Sequence, residues 1–398
     1  MAGGSRGRIT YHQSHDKFLI GAGGNADQVQ ILSNGNVGIG GAPSNRLTVF
    51  GDFNVSSGDV IIADSQVVKN TNDNLNSKIS DATDISKPWD KDNQAWWDWY
   101  VSLADNDVKK DEIINADPLP DISIPTDDEV ISELAEPYLL FDDQIDFFKK
   151  NGFIKLKKVF SPGSVLKLRA ELINLLKEEF KVDPDKGAHN RFLSLEMIWP
   201  DNKLLRAYVL SPRLGQISAN LLEVSAVRLY HDNVLAKQAG CGRTPWHFDD
   251  HHFPLDTNDV VTAWVPAQPT PIEMGPLSFA YPLNVHKLVN AVTFEKTGTG
   301  YDRGISDIFS KNNVSVNETP FELGEVSFHH NLNFHTASRN RTNRSRVALA
   351  NTYYRDGARI VNSPTMVSGD WQKFVPNVKP GDLAASPLNP ICWPVKDK

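Results

Sequence analysis

Residues 246–249 read Trp-His-Phe-Asp inside CGRTPWHFDDHHF, and roughly ninety residues later GEVSFHHNLNFHTASRNRTNRSRVALANTYY supplies His335 and Arg346. In an extended segment residues i and i+2 project from one face, so His247 and Asp249 can grip a single ion together. A third ligand so far along the chain must arrive on a neighbouring strand, which demands a fold that lays distant strands side by side. Two imidazoles and one carboxylate form the ligand set of a non-haem Fe(II) facial triad. Three protein ligands on one face of an octahedral ion leave three sites opposite, room for a bidentate 2-oxo acid and for O2. Zinc is the competing metal for a histidine-rich stretch of this kind, although a set with one carboxylate suits iron better.

The sequence around these residues fits such a fold. Val224–Ala236, Val260–Val265, Pro276–Tyr281, Glu325–His329 and Arg346–Tyr354 alternate in polarity or are continuously apolar, with Gly- and Pro-bearing loops between them. No helix-strand alternation suited to a parallel sheet is visible. The expectation is a mainly β protein with flanking helices, two facing antiparallel sheets closing a jelly roll, or double-stranded β-helix. Ahead of it, Phe141–Phe153 predicts a helix capped by Asp142 or Asp143 and stopped at Gly152. Phe153–Phe160 then reads as a strand, and Ser161-Pro162 starts an amphipathic helix with Val165, Leu168, Leu172, Leu175 and Leu176 on one stripe.

The rest of the 398-residue chain divides by composition. Residues 1–67 carry short β-prone runs (Lys17–Ile20, Val29–Leu32, Val37–Ile39, Leu47–Phe50, Val60–Ile62) between Gly, Asn and Ser clusters, a small N-terminal β appendage needing partners to be stable. Residues 68–137 read as a linker with Trp96, Trp97, Trp99 and Tyr100 in a possible short helix expected to dock on the catalytic domain or a neighbouring subunit. Its stretch Asp117–Asp128 is Pro-punctuated and acidic, expected to be extended along a surface or disordered. Residues 138–360 form the jelly-roll domain, and 361–398 a Pro-rich tail wrapping its surface. Between Asp105 and Asp143 thirteen acidic residues face Lys109 and Lys110, a local balance of -11, so of the net -8 the remainder carries about +3. Acidity thus belongs to one segment, and no nucleic-acid footprint is present.

No apolar run has the length of a membrane span, the N-terminus lacks the apolar core of a secretory signal, and Cys241 and Cys392 are too few for a disulfide framework. A reduced cytoplasmic setting fits, or assembly into a larger particle. Gly21-Ala22-Gly23-Gly24-Asn25-Ala26 matches a GxGxxA dinucleotide fingerprint, but the alternating Asp27–Leu32 that follows leaves no helix whose N-terminus would meet a pyrophosphate.

From about Phe141 to Tyr354 the chain resembles the phytanoyl-CoA dioxygenase family of Fe(II)/2-oxoglutarate oxygenases. The marks, in order, are FDDQIDFFKKNGFIKLKKVFSPGSVLKLR, WHFDDHHFPLDTNDVVTAWV, the Gly275-Pro276-Leu277 turn, and GEVSFHHNLNFHTASRNRTNRSRVAL. The resemblance implies a dioxygenase using Fe(II), 2-oxoglutarate and O2, with His247, Asp249 and His335 as metal and catalytic residues. Arg346, eleven residues after His335, matches the arginine that pairs with the far carboxylate of 2-oxoglutarate, a task suited to a planar fork that stays charged when buried. Lys237 and Trp264 fall where the family often lines the 2-oxoglutarate pocket. Arg344 rivals Arg346, because on a strand the two would share a face.

Phe248 replaces the Gln common inside the HxD, and Thr336-Ala337-Ser338 replaces a Gly-Ser after the distal His; both are expected to alter the substrate wall. Asp249 favours hydroxylation, since related halogenases vacate the carboxylate site. His231, His251, His252, His286, His329 and His330 are expected to be hydrogen-bonded bystanders, and Asp250 solvated or beside a ligand. The substrate is a small molecule or a surface group. Asn34–Val55 resembles repeats of bacteriophage tail-fibre and related trimeric fibre proteins, implying a homotrimer or virion assembly through the N-terminal segment. The alternative reading is therefore a structural virion component that uses the oxygenase fold for attachment.

Overall fold

The computed structural model describes the backbone of strands at 8–12, 17–22, 25–32, 37–39 and 47–49, residues 100, 101 and 104, and residues 113–186, 190–289, 292, 299–364 and 371–394. The chain forms two compact units, Met1–Ser80 and Asp81–Lys398. In the first, β1 (Arg8–His12), β2 (Lys17–Ala22), β3 (Asn25–Leu32), β4 (Val37–Ile39) and β5 (Leu47–Val49) make a five-stranded sheet in chain order, antiparallel except for the β4–β5 pair. The glycine fingerprint lies across β2 and β3, and a strand rather than a helix follows its glycines. Val60–Ile62, most of Asn34–Val55, and Trp96, Trp97 and Trp99 lie outside the described residues.

The second unit opens with helices that build one wall. Thr126 caps α1 (Asp127–Ala135), its hydroxyl accepting from Glu129 N while the Glu129 carboxylate takes Thr126 N. The acidic run expected to stay irregular to Asp128 therefore ends two residues earlier, at Thr126, because Asp127, Asp128 and Glu129 sit favourably in the first turn of a helix. Helix α2 (Asp142–Asn151) stops at Gly152, whose φ of 76° only glycine adopts freely. Its N-cap is Phe141 rather than an aspartate; Gln144 accepts from Phe141 N, leaving Asp142 and Asp143 inside the first turn.

Strand β6 (Phe153–Leu156) is shorter than expected, since the chain turns at Lys158, φ 56°, to enter α3 (Pro162–Phe180). Ser161 caps α3, and Val165, Leu168, Leu172 and Leu176 are its buried stripe. Then follow β7 (Phe192–Glu196), α4 (Lys203–Val209), α5 (Pro212–Leu222), β8 (Val227–Lys237), β9 (Thr244–His247), β10 (Val260–Pro266), β11 (Leu277–Tyr281), α6 (Gly300–Lys311), β12 (Ser315–Asn317), β13 (Val326–His330), β14 (His335–Ala337), β15 (Arg346–Arg355), α7 (Trp371–Phe374) and β16 (Ile391–Trp393).

Two antiparallel sheets form the jelly roll. The larger runs β16-β8-β15-β10-β13-β6 with β7 also on β8, and the smaller runs β12-β11-β14-β9. Period-two alternation decides what each central strand offers to either side. On β15, Val347 and Leu349 join the core shared with the helices, while Arg346, Ala350 and Thr352 face a cavity. On β10, Val261, Ala263 and Val265 face the helices, and Thr262 and Trp264 the cavity. A smaller inner cluster of Phe153, Trp264, Leu277, Phe279 and Ala337 joins residues of both sheets. The helix layer therefore closes one face of the large sheet and leaves the other free to build a site.

Candidate metal centre and co-substrate cavity

His247 is the last residue of β9, and Asp249 already lies in a short 3-10 turn, Asp249–His252. The pair thus straddles a strand's end. The same-face argument survives because Phe248 between them stays extended, φ -133° and ψ 152°. The turn is pinned from the β13–β14 connection, where Asn331 O accepts from Asp249 N at 2.9 Å and Asp250 N at 3.1 Å. His335 opens β14 directly opposite His247 in the β9–β14 register.

The ligating atoms of His247, Asp249 and His335 all lie within 4.8 Å of one another. Each imidazole turns Nδ1 to a backbone carbonyl two residues earlier, His247 to Pro245 O at 2.9 Å and His335 to Asn333 O at 3.0 Å. Those bonds select the Nδ1–H tautomer and leave both Nε2 lone pairs facing Asp249, at 3.8 Å and 3.7 Å from its Oδ1. Burial lowers the pKa of both imidazoles, that of His335 well below the ordinary value, with Asp249 pulling the other way. Neutral imidazole is the form a metal needs. Burial opposes the charge on Asp249, yet His335, His329 and His247 around it hold its carboxyl well below the usual range.

The triad opens onto a cavity of about 200 Å³ that Arg346 and Trp264 also line. Arg346 is 1% exposed. Its Nη1 donates to Gly275 O at 3.0 Å, its guanidinium lies 5.2 Å from the Trp264 ring, and its Nε has no partner. Burial brings its pKa down to about 10, so it remains a cation at neutral pH. Among the described residues no carboxylate pairs with it. A buried guanidinium without a counter-ion, facing the cavity that holds a two-histidine, one-carboxylate set, fits an anionic co-substrate bridging ion and arginine.

Arg344 lies just before β15, and its Nη1 donates outward to Asp117 O at 2.7 Å. The expectation that it would share a strand face with Arg346 fails because the strand starts at Arg346. Lys237, expected to line the pocket, instead sits behind it. Its ammonium donates to Ala337 O at 2.9 Å and Ser338 O at 3.0 Å, tying the end of β8 to the turn after β14. Burial and neighbouring Arg346 push its pKa well below the ordinary lysine value.

The expected substrate-wall changes are mostly elsewhere too. Phe248 packs on Phe334 at 4.9 Å, and Thr336 donates to Thr244 O, which leaves Ala337 as the altered residue on the wall.

Three histidines expected to be bystanders face the cavity: His231, His252 and His329. His329 is the closest to the triad, its Nε2 3.3 Å from Asp249 Oδ2. Alternation could have found it, since Val326 and Phe328 face the helices and so turn Ser327 and His329 inward. Tyr100, expected only as one of a docking aromatic cluster, is buried with its ring edge-on to His247 at 5.5 Å. Trp371 and Phe374 close the cavity from the C-terminal segment. The loop between Lys287 and Asn317 holds α6, whose Asp302 accepts from Trp246 N at 2.7 Å and pairs with Arg243, bracing β9.

Residues 148–348 match the phytanoyl-CoA dioxygenase (PhyH) family. Among solved structures, the non-heme alpha ketoglutarate dependent carbocyclase SnoK from nogalamycin biosynthesis is 22% identical, with a TM-score of 0.52 over 64% of this chain and 99% of that one. The epimerase SnoN, solved with Fe3+, alpha ketoglutarate and nogalamycin RO, is 21% identical, with a TM-score of 0.52 over 63% of this chain and 98% of that one. At these identities the likeness shows a shared fold. No curated protein matches the chain. With half its length covered by the family match, the chain belongs to the phytanoyl-CoA dioxygenase family and is a non-haem iron, 2-oxoglutarate-dependent oxygenase.

Proposed function

We propose that the chain hydroxylates a C–H bond of a small molecule, with His247, Asp249 and His335 as the iron ligands and Arg346 as the anchor of 2-oxoglutarate. The observation that carries this reading is the shared cavity: the three ligands and an uncompensated buried guanidinium face one space. When bound, iron and 2-oxoglutarate supply O2 activation, one oxygen atom ending in succinate as CO2 leaves and the other in the hydroxylated product. The protein's part is placement and dryness. Nδ1 bonds aim the two imidazoles, Arg346 fixes the far carboxylate, and Trp264 and Phe192 beside the guanidinium exclude water. A ligating Asp249 occupies the position a halide would need, which favours hydroxylation. Tyr230, Phe253 and Phe374 give the remaining space an aromatic side, with Asn233 and Thr262 as polar contacts.

The test is 2-oxoglutarate-dependent succinate formation by protein purified anaerobically and reconstituted with Fe(II). Turnover, even uncoupled from any added substrate, is expected. No turnover together with no iron binding would remove the reading.

For residues 1–67 we propose an assembly role, anchoring the enzyme in a trimer or a phage particle. The support is the resemblance of Asn34–Val55 to fibre repeats and a separate sheet of short strands, two of them only three residues long. Light scattering after size exclusion should give a trimer that is lost on deleting residues 1–67; a monomer in both forms overturns the role.

A further inference from the structure

We propose that His329 is a positioning residue that makes Asp249 a one-oxygen ligand and so keeps three metal sites open. The inference rests on the iron-binding reading above and concerns how that site is kept in shape.

The two oxygens of Asp249 have different neighbours. Oδ1 faces the Nε2 atoms of His247 and His335 at 3.8 Å and 3.7 Å, whereas Oδ2 is 3.3 Å from His329 Nε2. His329 is held in place by its strand, paired with Thr262 on one side and Phe153 on the other. Its ring lies between Phe279, at 5.8 Å, and His335, at 4.4 Å, and the residue is 2% exposed. Its Nδ1 is buried and has no hydrogen-bond partner. Among the described residues the polar atom that meets the ring is thus a carboxylate oxygen, which can accept but not donate. That selects the tautomer with hydrogen on Nε2, a donor to Oδ2 rather than a metal-binding nitrogen.

The consequence is a count of coordination sites. A carboxylate free to swing could offer both oxygens to an octahedral ion, leaving two positions where a bidentate 2-oxo acid and O2 together need three. With Oδ2 engaged by His329, Oδ1 is the oxygen that would be left to hold the ion. Partners of this kind that orient a ligand are typically worth about 10- to 100-fold in metal affinity.

Two measurements test this without relying on turnover. In the first, Fe(II) affinity is measured anaerobically, with 2-oxoglutarate at saturation so that it needs the site a second Asp249 oxygen would take, by competition with a chromophoric chelator. His329→Leu should bind roughly 10- to 100-fold more weakly, while His329→Gln, whose amide can still donate to Oδ2, should recover most of the affinity. Equal affinity of wild type and His329→Leu overturns the proposal. The second uses the wild-type chain, so a variant that fails to fold leaves the question answerable. In protein loaded with diamagnetic Zn(II), nitrogen-15 spectra should show His329 protonated at Nε2, and an Nδ1–H tautomer sinks the idea. If wild type binds no Fe(II) at all, the functional reading falls with it. If it binds and turns over while His329→Leu binds equally well, only the positioning role fails.

Discussion

Arg346 is the residue proposed to anchor 2-oxoglutarate, and its geometry separates charge from shape. The side chain is a buried cation, with one nitrogen on Gly275 O and Nε unpartnered. Lysine would keep the charge but lose the planar fork that can meet a carboxylate with two parallel bonds. A hydrogen bond to a charged group contributes about 1.5–3 kcal/mol, so Arg346→Lys should raise the 2-oxoglutarate KM by about 10- to 100-fold. Succinate formation measured against 2-oxoglutarate concentration reads this directly, with kcat recovered at saturation. Arg344→Lys should leave the same curve unchanged, because Arg344 reaches outward to Asp117 O. Spacing from His335 is the sequence sign that separates the two arginines, and of the two Arg346 is the one that lines the cavity. His329 shows the opposite limit: its inward face is readable from Val326 and Phe328, but the closeness of its ring to Asp249 depends on how two sheets pack, which no single strand encodes.

At the scale of elements, strands are more legible than helices. The runs around β8, β10, β11, β13 and β15 carry alternation or unbroken apolar stretches, and their observed bounds differ from expectation by a few residues at most. Helix α5 escapes because its middle holds Gly215 and Ser218, residues that weaken a helical pattern. The physical reason for Gly215 is tertiary: a Cβ there would lie 2.7 Å from Cys392 O, where β16 passes. Helix α1 hides within an acidic run although Thr126 and Glu129 spell a capping box. The turn before β11 offers a test of a similar close approach. Gly275 has φ 74°, and a Cβ there would collide with Ser338 O, while its own carbonyl holds Arg346. Gly357 has φ 90°, and a Cβ placed there would meet nothing within 4 Å. Gly357→Ala should therefore cost only the left-handed strain, about 1–2 kcal/mol. Gly275→Ala adds a backbone clash and should cost at least about 2 kcal/mol more, with weaker 2-oxoglutarate binding. Thermal melts of both variants give the difference, and equal melting temperatures would contradict the close approach.

For the molecule as a whole, burying imidazoles in their neutral form ties stability to pH. His330 accepts from Leu332 N at 3.1 Å through Nδ1 and lies against Phe148, and burial brings its pKa down to about 4. His231, among Tyr230, Phe253 and Phe374, is likewise brought down to about 4 by burial. In the unfolded chain both would titrate near ~6.5. Between those values the unfolded state binds more protons than the folded state, so unfolding free energy rises with pH there. The contribution of each group is complete above pH ~6.5 and is lost as the pH falls toward ~4, at up to about 1.4 kcal/mol per pH unit per histidine. Asp259 near His330 and Asp249 near His231 pull the other way and make the slope shallower than this limit. Metal-free protein melted by circular dichroism should lose stability steadily across that window. His330→Asn keeps an acceptor for Leu332 N through its side-chain oxygen and removes one titrating ring, so it should flatten the pH slope while leaving the melting temperature near pH ~7 little changed. An unaltered slope in that variant would mean that His330 is protonated in the folded protein as readily as in the unfolded chain, and that the packing against Phe148 does not keep its ring from water.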